Sequence, residues 1–550
     1  MPLGELSTRL CLDCSVCHSS YLPETPGGFH VPNSITRRVP PNTSRAGWLL
    51  LIALIPFLVL AAYHWSWGAP PGFGDHAQYL SHARALVEGR GYTEIGYIYH
   101  PAAPMLGPRA YPPGLPLTLA PLVALGGYDS WLIRACMIAT LLLFAYLAYR
   151  RLVLAMAPWQ AALGVGLTAL AIEIQYGSIV PLSDPGFCAL VWGAILAADT
   201  AHSWTWRRVA LVTALGFGAM AYRLPGVVVV PALVMHALLT WRDHRGRAMI
   251  PAFVWGIAGG LALLSGRVAL PFQAHLFPSL ADFLERLTNI ARVYRASVFD
   301  LELYPFPTGP LNDAYHLAVS IPLLLGTAAL LWRYRRSMLT WFVIAYVAML
   351  IVSPAIDGRY LWPLYPVLAG GLLLGLTALW RGAARLVRAR PHPAPVAAAL
   401  GLVLLTGVWR ALQAAPPRSL DRDPDALALF DWLQTHNARE PMRVAFHNPR
   451  VLTLRTRVPA MGGILATPSA HIRALRDVEI THIIWQKAET NACRARLLNA
   501  LPREFPTLFS VDYENPTFRV YRLNRTGDIP PDSWGNREIT SDACRALPPA

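Results

Sequence analysis

Apolar stretches long enough to cross a bilayer recur along this chain, separated by short polar joints. About 20 helical residues span the hydrocarbon core. On that measure the candidate spans are 47–66, 131–149, 158–176, 184–199, 208–222, 225–241, 250–270, 314–332, 338–353, 361–380 and 394–412, about eleven in all. The run 184–199 is short for a span, and Arg223-Leu224-Pro225 interrupts 208–241. Residues 1–46 are polar and proline-rich without a helical period, which predicts a disordered leader. Beyond residue 412 the pattern changes. Charged positions mix with strand-like runs at 443–446, 481–485 and 518–521 and helix-like runs at 425–435 and 494–501. This predicts a small α/β domain over 413–525 and a flexible tail over 526–550. The fold class is therefore a polytopic α-helical membrane protein with a small α/β soluble C-terminal domain.

Composition agrees. Only 14% of the 550 residues are charged and 54% are hydrophobic, against about 25% charged in ordinary soluble domains. That excludes an all-soluble enzyme, which needs charge to solvate its exterior. Seven cysteines are too sparse for a disulfide framework.

The net charge of +15 raises the question of nucleic acid. However, Lys487 is the only lysine, and the arginines sit beside apolar runs rather than in a stripe interleaved with aromatics. No nucleic-acid partner is expected. Cytoplasmic flanks of spans collect basic residues, and here Arg150 and Arg151, Arg207 and Arg208, Arg333, Arg335 and Arg336, and Arg381 and Arg385 mark alternate joints. The N-terminus is then cytoplasmic. Loops 67–130 and 271–313 and the C-terminal domain lie on the opposite face. Cys493 and Cys544 fall where oxidation is permitted, so a disulfide between them is one option.

Loop 67–130 carries the first candidate chemistry. Gly72-Phe73-Gly74-Asp75 opens a helix over 76–88 whose stripe of Tyr79, Leu80, Ala83, Leu86 and Val87 suits a helix lying in the interface plane. Asp75 at its start reads first as an N-cap; a carboxylate fixed at the membrane surface also serves as a general base, and the two roles can coexist. Tyr111-Pro112-Pro113-Gly114 forms a rigid corner before a short apolar helix over 115–125 that need not span. Asp357-Gly358-Arg359-Tyr360 sits at the outer mouth of a late span, ahead of a Trp and Tyr belt. Arg359 is either a snorkelling anchor or a planar fork for phosphate. Arg223 poses the same choice, and Glu173 and Asp184 flank a short outer joint.

Together, GDHAQY (74–79), AYPPGLPL (110–117) and DGRYLWPLYP (357–366) resemble the GT-C superfamily. These are multi-span glycosyltransferases that take a sugar from a polyprenyl-phosphate carrier. The likeness is to bacterial relatives of protein O-mannosyltransferases and lipid A aminoarabinose transferases, and it covers roughly residues 47–412. The resemblance implies that Asp75 is the catalytic carboxylate. It also implies that Tyr111, Pro112 and Pro113 shape the cavity floor, and that Arg359 and Tyr360 lie near the carrier phosphate, aided by Arg223. Tyr79 belongs to the first motif. Some relatives carry a second acidic residue where His76 stands here. The implied reaction is an inverting displacement on the periplasmic face of a bacterial inner membrane. Its donor is a polyprenyl-phosphate-linked sugar, and its acceptor is a glycan, lipid or protein.

No cofactor beyond that donor is implied. Asp75, His76 and His82 are compatible with a divalent metal, but neighbouring helical positions point apart. Cys14-Ser15-Val16-Cys17-His18 matches a c-type haem string on the wrong side of the membrane. Two other functions fit the architecture: a transporter or flippase of lipid-linked substrates, and a non-catalytic GT-C-like scaffold. Polar residues gathered at outer span ends favour surface chemistry over passage, and an intact Asp75 disfavours the scaffold.

Overall fold

A computed structural model describes residues 43–529, apart from 68–73, 101–106, 242–246, 258–278, 300–309, 354–356, 389–391, 414–419, 488–492 and positions 202, 252, 255, 421 and 465. Nearly all of the expected leader, most of the span 250–270, part of the loop 271–313, Cys544 and most of the tail 526–550 lie outside the described residues, as does the side chain of Cys493.

The helices before residue 414 are α1 (Thr43–Tyr63), α2 (Asp75–Val87), α3 (Gly114–Gly126), α4 (Trp131–Leu152), α5 (Pro158–Leu170), α6 (Ile172–Ile179), α7 (Asp184–Asp199), α8 (Trp206–Tyr222), α9 (Val229–Leu239), α10 (Leu280–Phe299), α11 (Pro310–Arg333), α12 (Met338–Val352), α13 (Tyr365–Leu386) and α14 (Ala394–Gln413). Local chemistry sets several starts. Ser130, Thr205 and Ser337 accept backbone N–H bonds at the N-termini of α4, α8 and α12. Prolines occupy the first turns of α5 and α7, where no helical N–H is lost.

The chain is a membrane protein. By length and composition four described helices can cross a bilayer: α4, the 316–333 part of α11, α13 and α14. The α5–α6 pair, bent by 67°, makes a fifth if taken as one broken span. The apolar segments Gly47–Tyr63, Leu224–Leu239 and Met338–Val352 are shorter, so eleven remains an expectation from the hydropathy pattern. The exterior of the bundle is apolar where lipid would lie, with Ile52, Leu324, Trp332, Leu402 and Trp409 exposed.

Helices surrounded by lipid gain little from burying apolar surface and associate through close packing of small residues. The seam between α11 and α13 shows this. A Cβ at Gly326 would stand 1.9 Å from the Gly371 carbonyl oxygen, and one at Gly375 would stand 1.9 Å from that of Pro322. Only glycine fits at either place.

A polar brace ties the C-terminal ends of α4 and α7 to the start of α12. Asp199 accepts from Arg151 Nε at 2.6 Å, Ser337 Oγ at 2.5 Å and Met338 N at 2.7 Å. Both charged side chains are almost fully buried. Asp199→Ala would leave the Arg151 guanidinium buried without its counter-charge, a loss of about 3–5 kcal/mol. The expected result is a clearly lowered Tm in detergent; a Tm equal to wild type would mean that the brace carries no weight.

The C-terminal part holds α15 (Pro424–Asn437), α16 (Pro449–Thr456), α17 (Pro468–Asp477) and α18 (Cys493–Glu504) around a sheet. Its strands are β1 (Val444–Ala445), β2 (Ala460–Met461), β3 (His482–Gln486), β4 (Phe509–Glu514) and β5 (Phe518–Leu523), in the order β2-β1-β3-β5-β4. β1 is parallel to β2 and β3, while β5 runs antiparallel to β3 and β4. Asn515 shapes the β4–β5 turn by accepting from the N–H groups of Thr517 and Phe518.

This part does not stand apart from the loop after α1. Ala77, Leu80 and Tyr111 share one hydrophobic cluster with Phe430, Val451 and Phe518. The free edge of β2 pairs with the loop as well: Ala460 N donates to Gly96 O at 3.1 Å, and Ile98 N donates to Ala460 O at 2.8 Å.

The helix α2, expected to lie in the interface plane, is covered by other parts of the chain. Residues 76–85 of α2 are all buried, because α16 covers the polar side that a surface helix would show to water. Arg84 donates to the Leu454 carbonyl at 2.8 Å, and His82 bonds the Tyr92 carbonyl at 2.6 Å.

Candidate functional site

Asp75 is the first residue of α2, and Gly74 rather than Asp75 occupies the capping position. The N-cap reading is therefore corrected. The carboxylate turns from the helix backbone to three side-chain donors. Oδ1 accepts from the Tyr111 hydroxyl at 2.6 Å and Arg450 Nη1 at 2.8 Å, and Oδ2 accepts from Arg359 Nη1 at 3.1 Å. Burial alone would raise its pKa, but Arg359, Arg450 and the Tyr111 hydroxyl hold it at about 2. The group is depressed, so its ion pairs contribute fully above the ordinary carboxylate value near 4. That contribution is lost only as pH falls through about 2. The side chain keeps 29% exposure, so it is reachable from outside.

Arg359 is aimed by its own turn. Asp357 Oδ1 caps the 3₁₀ turn Gly358–Leu361 by accepting from Arg359 N at 3.0 Å. Asp357 Oδ2 takes Arg359 Nε at 3.1 Å and Nη2 at 2.9 Å. One face of the guanidinium fork is thus fixed, leaving Nη1 for Asp75. Burial lowers the pKa of Arg359, but Asp75 and Asp357 outweigh it and the net shift is upward, so the group is permanently cationic. Glu173 of α6 interacts electrostatically with Asp357 and Arg359.

The other expected residues surround this pair at varying distance. Tyr111 is buried, its ring edge-on to Tyr79 with centroids 5.2 Å apart, and its carbonyl accepts from the Tyr92 hydroxyl at 2.9 Å. The Tyr79 hydroxyl bonds Ser183 at 2.8 Å, linking α2 to α7. Pro113 caps α3 and is exposed, and Pro112 is half-buried. The corner they form brings Gly114 against α8, where a Cβ would meet the Ala221 carbonyl oxygen at 2.7 Å. Arg223 pairs with the buried Asp184 rather than with Asp75, and its guanidinium lies 5.1 Å over the Tyr360 ring. His76 is buried on α2. Among the described residues no group of three or more His, Cys, Asp or Glu side chains is arranged to hold a metal ion.

No protein-family model matches the chain, and no curated protein sequence matches it. Solved structures do. The archaeal oligosaccharyltransferase AglB from Archaeoglobus fulgidus, in complex with an inhibitory peptide and a dolichol-phosphate, aligns over 89% of this chain and 75% of that one, with 13% identity and a TM-score of 0.52. The apo form of the Archaeoglobus fulgidus oligosaccharyltransferase aligns over the same shares at 12% identity and a TM-score of 0.50. ArnT from Cupriavidus metallidurans in the apo state aligns over 87% of this chain and 98% of that one, with 15% identity and a TM-score of 0.49.

The chain has the GT-C fold.

Within this GT-C scaffold, the segments of the three sequence motifs meet at one point: α2 supplies Asp75, the corner before α3 supplies Tyr111, and the turn before α13 supplies Arg359. Arg450 escaped the sequence reading. It comes from α16, is 5% exposed, and lies over the rings of Tyr97 and Tyr111 at 5.4 and 5.1 Å. No local signal distinguishes it from the other basic residues of the C-terminal part, because its partner stands 375 positions away.

Proposed function

We propose that this GT-C protein is a glycosyltransferase that moves a sugar from a polyprenyl-phosphate carrier to an acceptor hydroxyl. The observation that supports it is a half-open carboxylate, Asp75, set between Arg359 and Arg450 with the Tyr111 hydroxyl on one oxygen. On this reading Asp75 is the base and Arg359, one hydrogen bond away, is the fork that meets the phosphate. Asp75 takes the proton of the acceptor hydroxyl, whose oxygen forms a bond to the anomeric carbon. The bond from that carbon to the carrier phosphate oxygen breaks, and its electron pair leaves with the lipid phosphate. Arg359 offsets the charge that develops there. A lipid phosphate is already a good leaving group, so no strong general acid is needed. The carrier's apolar chain stays in the bilayer, which accounts for a catalyst built among spanning helices.

The residue range 47–412 forms the transmembrane part of this reading, and 413–525 forms an outer domain that closes over the site. The arginine-rich joints support an N-terminus in the cytoplasm and a site on the opposite face, which this reading takes as the periplasmic face of a bacterial inner membrane. Mass spectrometry of envelope lipids and glycans, with and without the gene, tests the proposal. The expected result is one acceptor species lacking a single sugar, with its lipid-linked donor accumulating. Unchanged glycans beside a lipid-linked sugar trapped on the cytoplasmic face would point to a flippase instead.

A further inference from the structure

Of the three donors on Asp75, the Tyr111 hydroxyl makes the shortest bond, at 2.6 Å. The backbone that carries it has little to hold it. Pro112 and Pro113 have no N–H to donate, and Tyr111 N reaches the Pro108 carbonyl only at 3.4 Å. Tyr111 is extended (φ −90°, ψ 117°), as a residue before proline must be, so its carbonyl enters no helical bond. The Tyr92 hydroxyl supplies what the corner cannot make for itself, donating to that carbonyl at 2.9 Å.

Tyr92 is held in turn by α2. Arg90 N donates to the Ala85 carbonyl at 2.9 Å, which turns the chain back along the helix. His82 then grips Tyr92 twice. Its Nδ1 donates to the Tyr92 carbonyl at 2.6 Å, and the two rings stack with centroids 4.2 Å apart, 13° from parallel. A carbonyl only accepts, so the proton is on Nδ1 and Nε2 is left to accept from the Gln78 amide at 3.1 Å. Burial pushes the His82 pKa down to about 4, which keeps the ring neutral. Gln78 and His82 are completely buried and recur with Asp75 at helical spacing, on one face of α2. The contacts close a circuit. One helix carries the carboxylate and, through His82, Tyr92 and Tyr111, reaches round to place a hydroxyl on it.

We infer that His82 and Tyr92 are positioning residues of this site, acting through Tyr111 to set its hydroxyl on Asp75 Oδ1. A carboxylate bonded there is kept from turning about its own axis, so an incoming hydroxyl meets it in one orientation. Orientation of that kind governs the rate of the chemical step rather than the affinity for either substrate. The consequence for transfer rests on the glycosyl-transfer reading; the placement of the hydroxyl rests on the residues alone.

The test is fluorine NMR of the full chain in detergent with 3-fluorotyrosine at position 111, whose resonance reports the bonding of the neighbouring hydroxyl. Asp75→Asn marks where the resonance goes when the carboxylate is lost. Tyr92→Phe keeps the ring on His82 and removes only the hydroxyl. It is expected to move the resonance toward that mark, or to broaden it, with the protein still folded. A resonance as narrow as wild type and in the same place overturns the inference. If Tyr92→Phe fails to fold, the His82 pair decides. His82→Ala should move the resonance, and His82→Asn, which keeps an N–H for the Tyr92 carbonyl, should bring it part of the way back; equal shifts in the two overturn the inference. The second readout is steady-state transfer with the donor and acceptor that envelope mass spectrometry identifies. Tyr92→Phe should lower kcat about 3- to 10-fold, the worth of one hydrogen bond, with both KM values unchanged and no further loss in a Tyr111→Phe background. The same loss in that background overturns the route through Tyr111. A moved resonance without any sugar transfer by wild type would sink the glycosyltransferase reading and leave the circuit standing. Asp75-dependent transfer with an unmoved resonance would do the reverse.

Discussion

Asp75→Asn abolishes measurable sugar transfer while the protein stays folded in the membrane: that is the expected result with the largest effect. Asparagine keeps the shape of the side chain and one carbonyl acceptor for Tyr111 or Arg359, so the local frame survives. What it lacks is a charge and a proton-accepting oxygen. A positioned general base contributes about 10²–10⁴-fold. Single-turnover transfer from a lipid-linked donor, with Tm as the folding control, reads the loss. Wild-type rates in this variant would remove Asp75 from the mechanism. The effect should be on kcat, since nothing in the substitution obstructs donor entry.

Arg359→Ala is expected to be nearly as damaging, for a different reason. Its Nη1 faces Asp75 and the rest of its fork is held by Asp357, so on the proposed function it is a pre-aimed cation for the charge of the leaving phosphate. Removing one such donor typically costs about 10²–10³ in rate. Donor KM should rise and kcat fall, with acceptor KM little changed; equal losses for donor and acceptor would contradict the assignment. Lysine should rescue poorly, because a point charge cannot bond the Asp357 carboxylate along an edge and keep a second N–H for phosphate. Asp357→Asn should show a weaker form of the same phenotype.

Much of the architecture was legible because it rests on local signals. Apolar runs gave helices near their expected places, including α4, α13 and α14, and strand-like runs gave β3 and β5. What escaped was whatever depends on a distant partner. The stripe on α2 looks like a membrane-surface helix until α16 is known to lie over its other side. Strand β4 mixes Asp512 and Glu514 with Val511 and Tyr513, and its pairing comes from β5 rather than from its own pattern. The helix α10 falls where a loop was read, since 271–313 is short of spanning hydropathy. At the site the same division holds. Asp75, Tyr111 and Arg359 stood in recognisable strings, and Asp357 stood in one of them. Arg450 stood in none, and Arg223, expected to aid Arg359 at the carrier phosphate, pairs with Asp184.

The edge-to-edge pairing of Gly96 and Ile98 with Ala460 has a consequence for biosynthesis. Ribosomes deliver a polypeptide from its beginning, so Asp75 is made 375 residues before Arg450 exists. On the proposed topology the emerging chain spends most of its translation with Asp75 outside and its Arg450 partner not yet made. Only when Ala460 and Arg450 reach the loop after α1 does the cluster around Asp75 become whole; on the proposed function this would keep carrier lipids from a half-made catalyst.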